Sequence, residues 1–148
     1  MAERPVGTIL TVGYEGRTVA SLIETLKRAR TQIVIDIRKN PFSRKPRFSK
    51  NALADALLRA RIRYVHVGEL GSPRPLREAL KQNGDETSFF TAFRKYLLTK
   101  KTVMKSLVAD TAGHTVCLLC FEKDYTKCHR SVVAEKLANM SGRKVENL

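Results

Sequence analysis

The 148-residue chain has no tryptophan, only three cysteines, and half as many acids as bases. Each shortage excludes something. An odd and small number of cysteines does not build the disulfide framework of a small secreted domain. Fourteen Asp and Glu against 28 Lys and Arg leave a formal charge of +14, a field that attracts nucleic acid, phosphorylated metabolites or an anionic membrane surface. No apolar run approaches transmembrane length, and "MAERPVGTIL" lacks a basic-then-apolar signal pattern, so a cytoplasmic protein without a membrane partner is expected. Also missing are a phosphate loop, a G-x-G-x-x-G fingerprint and a nucleophile elbow, the usual signatures of nucleotide hydrolysis and dinucleotide binding. What remains, 43% hydrophobic and 28% charged residues, is a globular composition of a length that suits one domain over residues 1–148. Oligomeric state is not legible.

Periodicity alternates along the chain. "GTILTVGY" reads as a first strand closing on Gly13, and Thr18 as the N-cap of a helix running to about Ala29. "QIVIDIR" is a near-continuous apolar run, as in a strand covered on both faces. The basic, proline-broken "KNPFSRKPRF" predicts a loop, and Ser49 the N-cap of a helix presenting Leu53, Ala54, Leu57 and Leu58 on one face. "IRYVHV" is a third strand and "GELGSPRP" a turn-rich segment. Helical spacing then runs from Leu76 to Ala109, broken at "NGDETS". "HTVCLLCF" is a fourth strand, Val132, Val133 and Leu137 mark a last helix, and "RKVENL" suits a short final strand. The expected fold is α/β, a mostly parallel sheet of about four to five strands with helices on both faces. We expect the second and third strands on one side of the first and the fourth on the other, with a ligand crevice where the first meets the fourth.

In such a sheet the polar residues that follow each strand converge on one rim. They are Tyr14, Glu15 and Arg17; Asp36, Arg38, Asn40, Ser43 and Arg44; His66 and Glu69; and Cys120, Glu122, Asp124, Cys128, His129 and Arg130. Asp36 stands out, because an acid ending an apolar strand is poorly solvated. It is either a functional carboxylate or paired with Arg38 or a backbone N–H.

In this order and spacing, "TVGYEGR", "DIRKNPFSRKPRFSK", "IRYVHVGELGSP" and "CLLCFEKDYTKCHR" resemble domain-of-unknown-function family 488. The most specific segments are D-x-R-x-x-P-x-S at Asp36, Arg38, Pro41 and Ser43, and C-x-E…C-H-R at Cys120, Glu122, Cys128, His129 and Arg130. The resemblance implies a compact α/β domain and no particular reaction.

The cysteine-bearing stretch admits several chemistries. Cys117 and Cys120 lie on a strand, where residues three apart point to opposite faces, so they cannot share an ion. Cys117 then reads as a small core residue. A site from Cys120, Cys128 and His129 lacks an evident fourth ligand, so neither a metal nor a cofactor is assigned. Cys128 sits where the last helix starts, beside Lys127 and Arg130, a setting that favours a thiolate, with Cys120 as a resolving partner and Glu122 as an acid or base. The alternative is that Cys128 packs beneath the loop while Arg130 pairs with Glu122 or Asp36. Arg130 otherwise suits a phosphate fork.

"RKNPFSRKPRFSK" carries six bases and no acid, a composition that neutralises phosphates. Phe42 and Phe48 are read as core anchors of this loop rather than base-stacking platforms. Together these features point to an enzyme acting on a phosphate-bearing substrate such as a nucleotide or nucleic acid. The expected catalytic residues are Asp36, Cys120, Glu122 and Cys128; the expected binding residues are Tyr14, Glu15, Arg38, Ser43, Arg44, His129 and Arg130. A nucleic-acid-binding module without chemistry is the alternative.

Overall fold

A computed structural model describes residues 7–148; the expectation that the first residues carry no signal pattern falls partly outside that range. Five short apolar or alternating runs form strands: β1 (Ile9–Gly13), β2 (Ile33–Asp36), β3 (Arg63–His66), β4 (Val116–Cys120) and β5 (Val145–Asn147). They build one all-parallel sheet in the order β3-β2-β4-β1-β5. The expected order, with the first strand between the second and fourth, is therefore corrected: β4 lies between β2 and β1. Burial separates inner strands from edges but does not rank the inner ones: β1, β2 and β4 are all buried throughout, with side chains in both cores. The central place of β4 comes from its pairing with both β2 and β1. β3 and β5 alternate exposed with part-buried positions and form the edges.

Six helices among the described residues cover the sheet. On one face, α1 (Val19–Arg28) and α2 (Lys50–Arg59) pack Leu22, Leu26, Leu53 and Leu57 on Leu10, Val12, Val34, Cys117 and Leu119. On the other, α4 (Glu86–Leu98), α5 (Lys101–Asp110) and α6 (Arg130–Ser141) pack Phe93, Met104 and Val133 on Ile9, Ile35 and Leu118. Thr18 caps α1 as its position predicts, its hydroxyl accepting from the Ser21 amide at 3.0 Å. Ser49 occupies its expected N-cap position without capping α2; its hydroxyl instead bridges the Ser43 amide and carbonyl. Leu58, expected on the apolar face of α2, is exposed, because it lies one position beyond the Leu53–Leu57 stripe. The helical run from Leu76 breaks twice, giving α3 (Arg74–Asn83) as well as α4 and α5.

The topology creates a crevice. β1 and β2 lead into helices on one face while β4 leads into α6 on the other. The chain therefore diverges on both sides of β4 at the carboxyl ends, where parallel sheets hold ligands.

Candidate active site in the crevice beside β4

Two glycines let loops close over these strand ends. A Cβ on Gly13 would stand 1.7 Å from the Glu122 carbonyl oxygen, and one on Gly71 would stand 2.4 Å from the Lys39 amide nitrogen. Without side chains, both strand-end segments lie directly against a neighbouring loop. A short 3-10 turn at Tyr125–Lys127, tied by Asp124 accepting from the Thr126 amide at 3.0 Å, then delivers Cys128 to the start of α6. The result is a cavity of about 370 Å³. Its lining includes Cys120, Glu122, Cys128 and His129, with Tyr14, Phe42, Phe89 and Phe121 as apolar surface and Arg38, Lys39, Arg77, Lys81 and Lys127 as cations.

Cys117 and Cys120 enter opposite cores, as strand geometry requires. Cys117 is fully buried, and burial pushes its thiol pKa up, which disfavours the thiolate. Cys120 and Cys128 are joined through their sulfurs as a disulfide. Their Cα atoms are 7.8 Å apart, more than the roughly 4.4–6.8 Å that disulfides span. His129 Nε2 faces the Ile37 carbonyl at 3.2 Å, so this nitrogen carries the proton and Nδ1 presents its lone pair 3.8 Å from the Cys128 sulfur. Burial, with the charges of Arg130 and Arg77, lowers the His129 pKa to about 4 against the opposing pull of the Ile37 carbonyl.

Arg130 is fully buried. Its guanidinium donates to the Glu122 carbonyl, to the Lys123 carbonyl at 3.3 Å and to the Cys120 sulfur at 3.3 Å. No carboxylate pairs with it among the described residues. Its backbone N–H also points to the Cys128 sulfur at 3.5 Å. Arg130 thus lies beneath the cavity, holding the β4–α6 loop, and does not line it; the open phosphate fork expected of it is not there. Glu122 lines the cavity, and its carboxyl pKa is raised by loss of water and by neighbouring Glu15, with Arg130 opposing.

Asp36 is also fully buried and outside the lining. One oxygen accepts from Arg38 Nε at 2.9 Å and the Arg38 amide at 3.1 Å; the other accepts from Arg38 Nη2 at 2.7 Å and Tyr64 Oη at 2.5 Å. Of the two alternatives for Asp36, pairing with Arg38 is the one observed, and its oxygens have no room for a substrate. Arg38 does line the cavity and is further held by the Phe48 carbonyl at 2.6 Å. Burial acts against its charge, but the Asp36 hydrogen bonds and charge more than offset this and raise its pKa.

Of the remaining expected site residues, Tyr14 lines the cavity, stacked on the buried Phe48 at 4.5 Å. Glu15 lies outside the lining and accepts from the Lys123 amide at 2.9 Å, and Ser43 staples the basic loop through Ser49 and Lys45. Arg44 is exposed beyond the cavity. Phe48 is the core anchor expected of it, whereas Phe42 is 74% exposed at the cavity edge.

Arg77 and Lys81 escaped the sequence reading. They lie four apart on α3, on the cavity wall. The available signal was the unusual balance of α3, whose ten residues include no buried one; a helix that contributes so little to a core is free to border a cavity.

The family model for "Domain of unknown function DUF488" matches residues 18–137. The chain belongs to this family. No curated protein and no solved structure gives a significant match. The DUF488 match spans the strand ends β2, β3 and β4, and with them Asp36, Cys120 and Cys128. No helix among the described residues is long and apolar enough to cross a membrane.

Proposed function

We propose that the crevice is the active site of an enzyme acting on a phosphate-bearing substrate, a nucleotide or a nucleic-acid end, in a cytoplasmic setting. One observation carries the reading: Lys39, Arg77, Lys81 and Lys127 surround the same cavity as Cys120, Cys128 and His129, and none has an acid partner among the described residues. Cations that surround a concave site without counter-charges favour an anion there. Glu122 is the single carboxylate among the described residues of the lining; burial and then Glu15 raise its pKa, which favours a proton-transfer role. Tyr14, Phe42 and Phe121 offer a face for a base.

Calorimetric titration with nucleoside mono- and diphosphates tests the reading. Binding should be salt-sensitive and lost in the Arg77→Ala/Lys81→Ala double variant. Equal binding by that variant overturns it.

Exposed Arg44 and Arg47 with the projecting Phe42 favour the second reading, a nucleic-acid-binding module. On that reading single strands bind through the loop and no substrate is turned over.

A further inference from the structure

We infer that Cys120, Cys128 and His129 bind a thiophilic divalent metal ion, Zn²⁺ by its chemistry, with the fourth coordination position open to the cavity. The sequence left this ligand set open but assigned it no metal, for want of an evident fourth ligand. It takes the open face from the active-site reading, but the ligand set stands on its own geometry.

Three observations support it. First, two sulfurs and an imidazole nitrogen lie within 4.8 Å of one another. The Cα separation of 7.8 Å for the two cysteines is too wide for a relaxed disulfide. In the reduced chain, sulfurs that part from one another can each bond one ion at about 2.3 Å, with about 2.0 Å to the imidazole nitrogen. Second, His129 is oriented as metal-bound histidines are: Nε2–H donates to the Ile37 carbonyl and Nδ1 turns its lone pair toward the sulfurs. Third, Arg130 is a buried guanidinium whose described partners are two carbonyls and the Cys120 sulfur, without a carboxylate. A cation so placed calls for negative charge, and a thiolate supplies it. In the reduced chain two thiolates this near each other repel unless a cation joins them. N–H groups from the Arg130 side chain and backbone reach one sulfur each, the outer hydrogen bonds that tune a metal-bound thiolate.

Soft thiolates with imidazole select zinc over magnesium or calcium. Binding releases one proton from each thiol and leaves the ion with two thiolates and a neutral imidazole, a site of zero net charge. The open position suits water, with Glu122 the only carboxylate among the described residues of the lining to take its proton.

The test uses the full chain, reduced, stripped with a chelator and titrated anaerobically with Co²⁺. The expected result is one equivalent bound, with sulfur-to-cobalt charge-transfer and tetrahedral ligand-field bands that Zn²⁺ abolishes. Cys120→Ser and Cys128→Ser should each remove these bands. His129→Gln should weaken binding by more than about tenfold, the least that losing even a supporting hydrogen bond costs such sites. Cys117→Ala should retain the bands, as should Arg77→Ala/Lys81→Ala whatever its effect on anions. Absence of charge-transfer bands in the reduced wild-type chain overturns the inference, as do bands that survive both cysteine substitutions. If the cysteine variants fail to fold, alkylation of the wild-type chain decides. Zn²⁺ should protect Cys120 and Cys128, and unchanged labelling refutes the site.

Discussion

Two arginines, Arg38 and Arg130, are buried at the carboxyl ends of adjacent strands, and they are neutralised in opposite ways. Arg38 meets the Asp36 carboxylate through two nitrogens, with Tyr64 completing the set. Arg130 meets carbonyls and a sulfur. The pKa of Arg38 is raised despite burial, whereas burial lowers that of Arg130, with the nearby acids and thiol only partly opposing. The Asp36 pair is closed: its charges cancel internally and leave no room for a ligand. The cysteine side is open, lacking a fixed counter-ion and bordering the cavity. A closed pair serves the fold, while a buried cation without a carboxylate leaves its side open to the negative charge that the proposed site would supply.

Breaking the closed pair should have the largest effect. Asp36→Ala leaves a buried guanidinium unpaired and should cost about 3–5 kcal/mol in denaturant unfolding. Tyr64→Phe removes one hydrogen bond to a charged oxygen and should cost about 1.5–3 kcal/mol. Burial, then the Asp36 carboxylate, raises the Tyr64 pKa. The unfolded chain therefore loses this proton first, and stability from Tyr64 is kept below about pH 10 and lost as pH rises above it. An alkaline absorbance titration should show a late tyrosine step that Tyr64→Phe abolishes.

The open side should respond differently. Arg130→Met removes a charge instead of stranding one, leaving two carbonyls unsatisfied at about 1–3 kcal/mol. Its clearer effect should be chemical: alkylation of metal-free Cys120 and Cys128 slows at fixed pH, by on the order of tenfold for one pKa unit. A stability loss equal to that of Asp36→Ala, with unchanged alkylation, would erase the distinction between the two arginines. The smallest effect belongs to the loop. Arg44→Ala with Arg47→Ala should leave stability within about 0.5 kcal/mol. If nucleic acid uses the loop, its salt-dependence slope falls by about one for each phosphate that is no longer neutralised.

The contrast also shows what the sequence could carry. Strand and helix periods, the Thr18 cap and the opposed faces of Cys117 and Cys120 follow from local spacing, so they were legible. Strand order was not, because β1, β2 and β4 are equally apolar and buried, and only their long-range pairing places β4 at the centre. Cys120, Glu122, Cys128 and His129 were found because one short stretch carries them. Asp36 and Arg130 were conspicuous for being polar residues at apolar positions, a signal of burial as readily as of function. Arg77 and Lys81 reach the cavity through tertiary placement of α3, which ordinary helical spacing does not reveal.

The measurement closest to the central claim is ligand protection of the thiols. The reduced, metal-free chain is labelled with a mild alkylating reagent with and without a saturating nucleoside diphosphate. If the cations and sulfurs form one site, ligand slows labelling of Cys128, Cys117 stays unlabelled in both cases, and Arg77→Ala/Lys81→Ala abolishes the protection. Ligand that binds while Cys128 labels at an unchanged rate would contradict a shared site.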